Sequence, residues 1–246
     1  MKILNKLLLL LSVSVCQNTD SLFQLGNDYY LDEKYDQAIN IFEKISKDYE
    51  HEDLYLNLGN SYYRVGMLGN AIWSYERGHL LSPRDNDINY NLNYVRNQIR
   101  DRIIPPEDFF LIAVYRAIIE KLTLLYLIAM SGLILLSLGT LYVFKNFDII
   151  SNKISGIMKT ILLILIFSNG FIILDKYWSV SDRENGVVIS IESDVRSSPI
   201  NRGENIVFII HEGTKVEIVT KQPGWYEIVL LDGKKGWISV DGVRII

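Results

Sequence analysis

Cysteine is almost absent from this chain. Cys16 is the only cysteine among 246 residues, so the sequence excludes a disulfide framework and a cysteine-based metal site. The three histidines, His51, His79 and His211, are scattered and lack the spacing of metal ligands. Lysine and arginine number 25 against 29 acidic residues, which argues against a nucleic-acid-binding protein, because phosphate binding needs clustered cations. We therefore expect no metal, no cofactor and no nucleic-acid partner.

Two long apolar runs dominate the middle of the chain. The first, Leu122–Phe144, has 23 residues and no charge, and at about 1.5 Å rise per residue it is long enough to cross a bilayer. The second, Ile157–Leu174, is apolar except for Lys159 near its start and Asn169 inside it. We predict transmembrane helices over these two runs and a loop over residues 145–156. Such a hairpin would anchor the water-facing segments on either side of it.

Residues 1–16 have the composition of a secretory signal peptide. Lys2 and Lys6 precede an apolar core over residues 7–15, which is too short to span a bilayer comfortably. We expect cleavage before Gln17. Lipidation of Cys16 and an uncleaved anchor are the alternatives, and either of these also places the next segment outside the cytoplasm.

Residues 19–104 contain an internal repeat with a period of 33. Gly26 aligns with Gly59, and Ala38 aligns with Ala71. This pattern resembles the tetratricopeptide (TPR) repeat, in which small residues let paired helices approach each other. An amphipathic helix is predicted over residues 85–102, with Ile88, Leu92, Val95 and Ile99 on one face, and it would cap the second repeat.

The repeat predicts a groove lined by the first helix of each pair. Asn27 and Asn60 occupy equivalent inward positions, and Tyr30 and Tyr63 lie on the same surface, with Arg64 beside them. Paired asparagine amides can bind an extended peptide backbone, since each offers donors and an acceptor. The alternative is that these polar side chains only solvate the groove.

Between the repeat and the first apolar run, residues 105–121 are rich in apolar and aromatic side chains. They predict either a helix at the membrane surface or an extension of the first span. The loop between the spans contains Lys145, Lys153 and, just beyond it, Lys159 against Asp148. This bias places the loop in the cytoplasm and both flanking modules on the opposite side.

Residues 185–246 change to short alternating segments separated by glycine and Asp-Gly turns. The segments VVISIE, IVFIIH, TKVEIVTK, WYEIVLL, KGWISV and VRII predict strands, and Asp232-Gly233 predicts a hairpin turn. Five or six strands in about 60 residues favour a small barrel. The order DVRSSP, HEGTKVEIV and GWYEIVLLDGKKGWISVDGV resembles bacterial SH3 domains.

Four side chains of this module are the candidate SH3 ligand residues. Trp225 and Trp237 each follow a glycine, as in the SH3 pattern, and Tyr226 and Arg196 would complete a groove. Packing in the core or at the rim is the alternative role for the three aromatic residues. The acidic aromatic motif of proline-binding SH3 domains is absent, so that specificity does not carry over.

The order of the modules adds a further resemblance. A signal peptide, two TPR repeats, the helix YNLNYVRNQIRDRIIPPEDFF, a membrane hairpin and an SH3-like domain together resemble the BatE proteins of the bacterial aerotolerance (Bat) operon. The resemblance implies a non-enzymatic protein that works beside other Bat membrane proteins, which include von Willebrand A-domain proteins. It also implies the bacterial inner membrane, with the TPR and SH3 modules in the periplasm.

The sequence therefore predicts a multi-domain membrane protein with an all-α TPR solenoid, a transmembrane helical hairpin and a small all-β SH3-like barrel. Its expected function is that of an adaptor that recruits envelope proteins through the two modules. The alternative is a cell-envelope sensor that binds peptidoglycan with the SH3 module. We expect no enzymatic activity, because no nucleophile, acid–base pair or metal set has catalytic spacing.

Overall fold

The computed structural model describes residues 19–103, 109–119, 121–181, 184–201 and 203–246. The predicted signal peptide, including Cys16, lies outside these ranges. The helices are α1 (19–31), α2 (Tyr35–Ile45), α3 (Glu52–Arg64), α4 (Leu68–Leu81), α5 (Asn86–Arg96), α6 (Phe110–Ile119), α7 (Leu124–Asn146) and α8 (Asn152–Ser181). The strands are β1 (Glu184–Val188), β2 (Glu192–Arg196), β3 (Ile206–His211), β4 (Lys215–Gln222), β5 (Trp225–Leu230), β6 (Lys235–Ser239) and β7 (Val243–Ile245). They form two compact units, one of α1–α5 with all the strands and one of α6–α8.

Helices α1–α4 form two equivalent helical hairpins. A Cβ atom built on Gly26 of α1 would lie 2.5 Å from the Phe42 ring, and one built on Gly59 of α3 would lie 2.5 Å from the Tyr75 ring. Glycine is therefore required at both positions for the paired helices to approach each other. The same glycine–aromatic contact recurs with the predicted period of 33, so the internal repeat is confirmed as a helical repeat-like fold.

The capping helix is shorter than the sequence predicted. Asp85 begins α5 by accepting hydrogen bonds from the N–H groups of Asp87 and Ile88, both at 2.9 Å, and the helix ends at Arg96 rather than continuing to residue 102. The predicted apolar face is buried as expected at Ile88, Leu92 and Val95. The chain leaves the helix because Ile99 and Asp101 contact the β3–β4 turn. The pattern of a single helix carries no information about a contact with a segment so distant in the sequence.

The strands form one antiparallel sheet in the order β3-β2-β6-β5-β4-β1-β7. The segment VVISIE does not form the single strand that was predicted, because the chain turns after Val188 and starts again at Glu192. The N–H of Ile189 donates to the carbonyl of Gly242 at 2.9 Å in this turn. The predicted turn at Asp232-Gly233 joins β5 to β6, and Gly233 adopts a φ of 86° there.

The second unit consists of α6, α7 and α8. Within the described residues, α7 and the segment Asn152–Tyr177 of α8 are long and apolar enough to cross a membrane by length and composition, with mean hydropathies of 2.1 and 2.2. Helix α7 ends later than the predicted first span and α8 begins earlier than the predicted second span, so the connection shortens to residues 147–151. Helix α6 ends at Ile119 and α7 begins at Leu124, so the two are separate helices. The ammonium of Lys176 caps α6 by donating to the carbonyls of Ile119 and Leu122.

Candidate functional site

Two asparagines with fixed amide orientations lie on the side of the helical repeat formed by α1, α3 and α5. Asn27 Oδ1 accepts a hydrogen bond from Asn57 Nδ2 at 2.9 Å. Asn60 Oδ1 accepts two, from the Tyr75 hydroxyl at 2.8 Å and from Asn91 Nδ2 at 2.9 Å. Because both oxygens are occupied, the two Nδ2 groups, which bond to no described residue, are the donors that remain for a ligand.

Arg64 lies beside two tyrosines at one end of this side. The rings of Tyr30 and Tyr35 are 5.4 Å apart between centroids, and Arg64 Cζ is 5.8 Å from the Tyr35 centroid. Arg64 Nε donates to the Tyr30 hydroxyl at 3.4 Å, and this bond raises the pKa of Arg64. The predicted proximity of Tyr30 and Arg64 is therefore observed, with an exposed and fully charged guanidinium.

Three further tyrosine rings continue the surface onto α5. Tyr63 meets Tyr94 edge-on with 5.9 Å between the centroids, and Tyr94 stacks on Tyr90 at 6.2 Å with 15° between the planes. Hydrogen bonds from Gln98 and Tyr94 lower the pKa of Tyr63. Tyr90 is 69% exposed and Tyr94 50% exposed, so both rings present a large apolar area to solvent.

We call this surface the tyrosine face. It consists of Asn27, Tyr30, Tyr35, Asn57, Asn60, Tyr63, Arg64, Tyr90, Asn91, Tyr94 and Gln98. The five groove residues predicted from the sequence all belong to it. The members on α5 were missed because that helix was interpreted only as a cap. Its Asn and Tyr residues recur at spacings of three and four, and this pattern could have identified it as a third lining helix.

The strands β1–β7 form the β-module, which packs against α2 and α4, the second helices of the two hairpins. The guanidinium of Arg244 on β7 lies 3.4 Å from the Trp73 ring centroid and donates to Glu43 at 2.9 Å. Trp73 Nε1 donates to the carbonyl of Ile245 at 2.6 Å. The sequence left open whether the helical repeat and the β-module touch. These contacts join them into one unit, and we call the interface between them the junction.

Tyr62 connects this junction to α3. Its hydroxyl donates to Glu43 at 2.5 Å and accepts from Arg244 at 3.3 Å. Burial, followed by the hydrogen bond to Glu43, raises the pKa of Tyr62 to about 12. The neighbouring residue Tyr63 belongs to the tyrosine face, so one turn of α3 contacts both surfaces.

A second polar contact in the junction is buried. Glu76 of α4 is 2% exposed, and its carboxylate accepts from Lys215 Nζ at 2.8 Å and from the guanidinium of Arg96. Burial alone would raise the pKa of Glu76, but the charges and hydrogen bonds of Lys215 and Arg96 outweigh it and the pKa is lowered. The carboxylate is therefore ionised and links α4, α5 and β4.

The junction leaves no space for side chains at two glycines. A Cβ on Gly69 of α4 would lie 2.5 Å from the carbonyl oxygen of Val188, and one on Gly213 would lie 2.4 Å from Ile99. The Gly69 N–H donates to Glu212 at 3.0 Å. Backbone therefore packs directly against backbone between α4 and the end of β1.

The predicted SH3 ligand residues are distributed over two faces of the sheet. Trp237 is in register with Arg196 on one side and Glu227 on the other, so these three side chains share a face. Trp225 lies two positions from Glu227 and shares it. Arg196 is 8% exposed and pairs with Asp194 at 2.9 Å.

Tyr226 occupies the opposite face from Trp225. It packs against the barrel core, and the Lys221 ammonium lies 5.9 Å from its ring centroid. The four residues therefore do not converge on a single surface, and ligand binding by Arg196, Trp225 and Trp237 stays a prediction. Within the residues that the structure describes, no three His, Cys, Asp or Glu side chains are grouped so that they could bind a metal.

Comparisons with known proteins support part of this architecture. Residues 193–244 match the family model described as bacterial SH3 domain, which confirms the predicted fold of the β-module. Crystal structures of PcrH from Pseudomonas aeruginosa and of SycD, the type III secretion translocator chaperone of Yersinia enterocolitica, are similar at 24% and 23% identity, each with a TM-score of 0.32. Each alignment covers 33% of this chain and 63% of the other, which is less than two thirds of their length. No curated protein sequence matches this chain.

Proposed function

We propose that this protein is a non-enzymatic, membrane-anchored adaptor whose tyrosine face binds an extended segment of another envelope protein. The observation that supports this most directly is the pair of Asn27 and Asn60. Their oxygens are held inside the helical layer, and their Nδ2 donors are left at equivalent positions one repeat apart. Two donors in register suit a polypeptide backbone, which presents carbonyl groups at regular intervals.

In this proposal the β-module has a structural role in the same function. It covers α2 and α4 and leaves α1, α3 and α5 to line the tyrosine face. Two repeats with a cap fall below the three that such arrays usually need, and the contacts of Arg244 and Glu76 supply an additional packed surface. The β-module would thus hold the binding helices in position.

The anchor in this proposal is the hairpin of α7 and α8. Two crossings return the chain to the side from which it came, and the lysines of the connection favour a cytoplasmic position for it. The repeat and the β-module would then both lie in the periplasm, at the bacterial inner membrane. Reporter fusions at Asn152 and Gly242 test this topology, and a cytoplasmic signal at Gly242 would refute it.

The proposed partners are other membrane proteins, and the von Willebrand A-domain proteins of the Bat system are the first candidates. This part of the proposal is based on the BatE-like order of modules in the sequence. Co-purification of the full chain with those proteins from native membranes would support it. Their absence from a purification that retains other crosslinked partners would redirect the assignment while leaving the adaptor function intact.

Site-specific photo-crosslinking tests the adaptor proposal. A photoreactive phenylalanine at Tyr90, which is 69% exposed, should give discrete crosslinked products in living cells. The same group at Tyr49, a 39% exposed tyrosine outside the tyrosine face, is the matched control and should give none. Equal crosslinking at both positions, or none at Tyr90, would argue against binding at this surface.

A second candidate function is peptidoglycan binding by the β-module. Trp225 and Trp237 share one partly exposed sheet face, and they lie on β5 and β6, whereas the junction uses β1, β7, the β3–β4 turn and Lys215 at the start of β4. The full chain in detergent should then sediment with purified sacculi, and a Trp225→Ala, Trp237→Ala double variant should not. Sedimentation that is unchanged in this variant would exclude the face as the binding site.

A further inference from the structure

Helix α6 exposes a row of apolar side chains along one side. Phe110, Val114 and Ile118 recur at a spacing of four, and Leu111 lies beside them; we call these four residues the α6 stripe. Their exposed fractions range from 43% for Val114 to 72% for Phe110. Arg116, the only charged residue of α6, is two positions from both Val114 and Ile118, so it lies about 200° around the helix from each of them. The helix is therefore amphipathic, and its stripe marks a contact surface.

Two polar contacts fix α6 to the end of the apolar part of α8. The hydroxyl of Tyr115 donates to Asp175 Oδ2 at 2.7 Å. The ammonium of Lys176 donates to the carbonyl of Ile119 at 3.1 Å and to that of Leu122. Asp175 and Lys176 are the first charged residues after the second apolar run. If α8 crosses a bilayer, this point lies where the hydrocarbon core meets the headgroups, and α6 is held at that level.

The spacing of these contacts indicates that α6 crosses α8 instead of running alongside it. Tyr115 and Ile119 are separated by about 6 Å of helix rise, whereas their partners Asp175 and Lys176 are neighbours separated by about 1.5 Å. Helices that run side by side would pair residues at more similar separations. With 10 residues, α6 is about 15 Å long, too short for a hydrocarbon core of about 30 Å. Such a helix at the level of the headgroups lies along the membrane surface.

We propose that α6 is a third membrane-binding element, whose stripe inserts between phospholipid acyl chains at the leaflet where α7 begins and α8 ends. Only 11% of the apolar window of α7 and 6% of that of α8 are buried, so the stripe continues an outward-facing apolar surface that both helices present to lipid. This continuity favours lipid over a protein partner. The proposed function assigns membrane binding to α7 and α8 alone, and the present inference rests on it for the crossing of the bilayer by those two helices. The hydrogen bond between Tyr115 and Asp175 holds α6 at its depth, with Arg116 among the headgroups.

Spin labels on single cysteines of the full chain, in phospholipid nanodiscs, test the proposal. Each variant is made in a Cys16→Ser background, so that the introduced cysteine is the only one. Electron paramagnetic resonance then compares the access of oxygen, which dissolves in lipid, with that of a nickel chelate, which stays in water. A label at Phe110→Cys should favour oxygen and lie about 5–10 Å below the phosphates. A label at Leu136→Cys, near the middle of α7, should lie about 15 Å deep. Leu31→Cys on α1, which is 77% exposed, is the matched control and should favour the nickel chelate.

Three further variants, each carrying the label at Phe110→Cys, test the stripe and the contact that holds it. Val114→Ser combined with Ile118→Ser should bring the label closer to water by about 5 Å or more, because the stripe loses apolar area. Ala113→Ser adds a hydroxyl outside the stripe and should leave the depth unchanged. Tyr115→Phe removes only the hydroxyl that donates to Asp175, so it should increase the mobility of this label without changing the label at Leu136→Cys.

The result at Leu136 separates this proposal from the proposed function. A label at Leu136 in lipid together with a label at Phe110 in water would reject membrane binding by α6 and retain the anchor. A label at Leu136 in water would refute the anchor and this proposal with it. A label at Phe110 that neither reagent reaches would show that protein covers the stripe, from a second copy or another partner, and would overturn the assignment to lipid. An unchanged depth in the double serine variant would also contradict insertion of the stripe.

Discussion

Replacement of Gly69 by alanine should loosen the junction between the helical repeat and the β-module. The added Cβ would lie 2.5 Å from the carbonyl oxygen of Val188 and 3.0 Å from the Cα of Ile189. Both are backbone atoms, so a rotamer change cannot relieve the clash. Relief requires the start of α4 to move away from the end of β1, which also lengthens the 3.0 Å bond from Gly69 N–H to Glu212.

The expected loss is roughly 1–3 kcal/mol of unfolding free energy. Overpacking of this kind costs about 1–3 kcal/mol, and the weakened hydrogen bond adds about 1 kcal/mol. Alanine recovers up to about 1 kcal/mol, because it is a better helix former than glycine. Since natural domains have about 5–15 kcal/mol in total, the change is large enough to measure.

Hydrogen exchange on the full chain, followed by mass spectrometry, locates the effect. Backbone amides of β1 and of the first turns of α4 should exchange faster in Gly69→Ala, and the urea midpoint should fall. Gly203→Ala is the matched control, since it adds the same methyl group where no atom lies within 4 Å. An unchanged urea midpoint together with wild-type exchange in β1 would refute the packing of α4 against the β-module.

Three further substitutions test the charges and hydrogen bonds. Glu76→Gln should cost about 2–4 kcal/mol at neutral pH, because it leaves Lys215 without its buried partner. Folding lowers the pKa of Glu76 below its ordinary value of 4.5, so the wild type loses the stability contributed by this carboxylate as the pH falls below 4.5. In acid titrations of the urea midpoint, the stability of the wild type should therefore fall more steeply than that of Glu76→Gln. Tyr62→Phe should cost about 1–2 kcal/mol below pH 10, since a neutral Tyr62 donates to Glu43, and the variant should lose less stability than the wild type between pH 10 and about 12. Asn169→Leu should change hairpin stability in micelles by less than about 1 kcal/mol, and a larger loss would indicate a further partner for its Oδ1 atom, which bonds to no described residue.

Local patterns in the sequence predicted the elements of this fold well. The spacing of Gly26 and Gly59 identified the repeat because close helix contact requires a missing side chain at the same place in each hairpin. The alternation of apolar residues and the Asp232-Gly233 turn identified the strands for an equally local reason. The misplaced ends, at α5 and in VVISIE, lie where distant contacts of Asp101 and Gly242 redirect the chain.

The junction could not be predicted, because its residues have the composition of a protein surface. Glu43, Glu76, Lys215 and Arg244 each have the sequence context of an ordinary solvent-exposed charge, and more than 100 residues separate Glu43 from Arg244 and Glu76 from Lys215. Their pairing depends on the β-module folding back onto α2 and α4, and no periodicity records that event. Trp73 did not identify the junction either, because a helix of the repeat buries aromatic residues on both of its sides.

The junction also changes what the candidate sites can do. In separate modules, the groove and the SH3-like domain would each bind independently, as the sequence suggested. In the folded unit, α3 carries Tyr62 in the junction and Tyr63 in the tyrosine face, so any ligand that shifts α3 acts on both surfaces. In the proposed function, the packed β-module would resist such a shift and keep Asn27 and Asn60 in register. In the same proposal, a prepositioned pair of donors would lose less entropy on binding than a flexible pair, which would offset the small size of a two-repeat array.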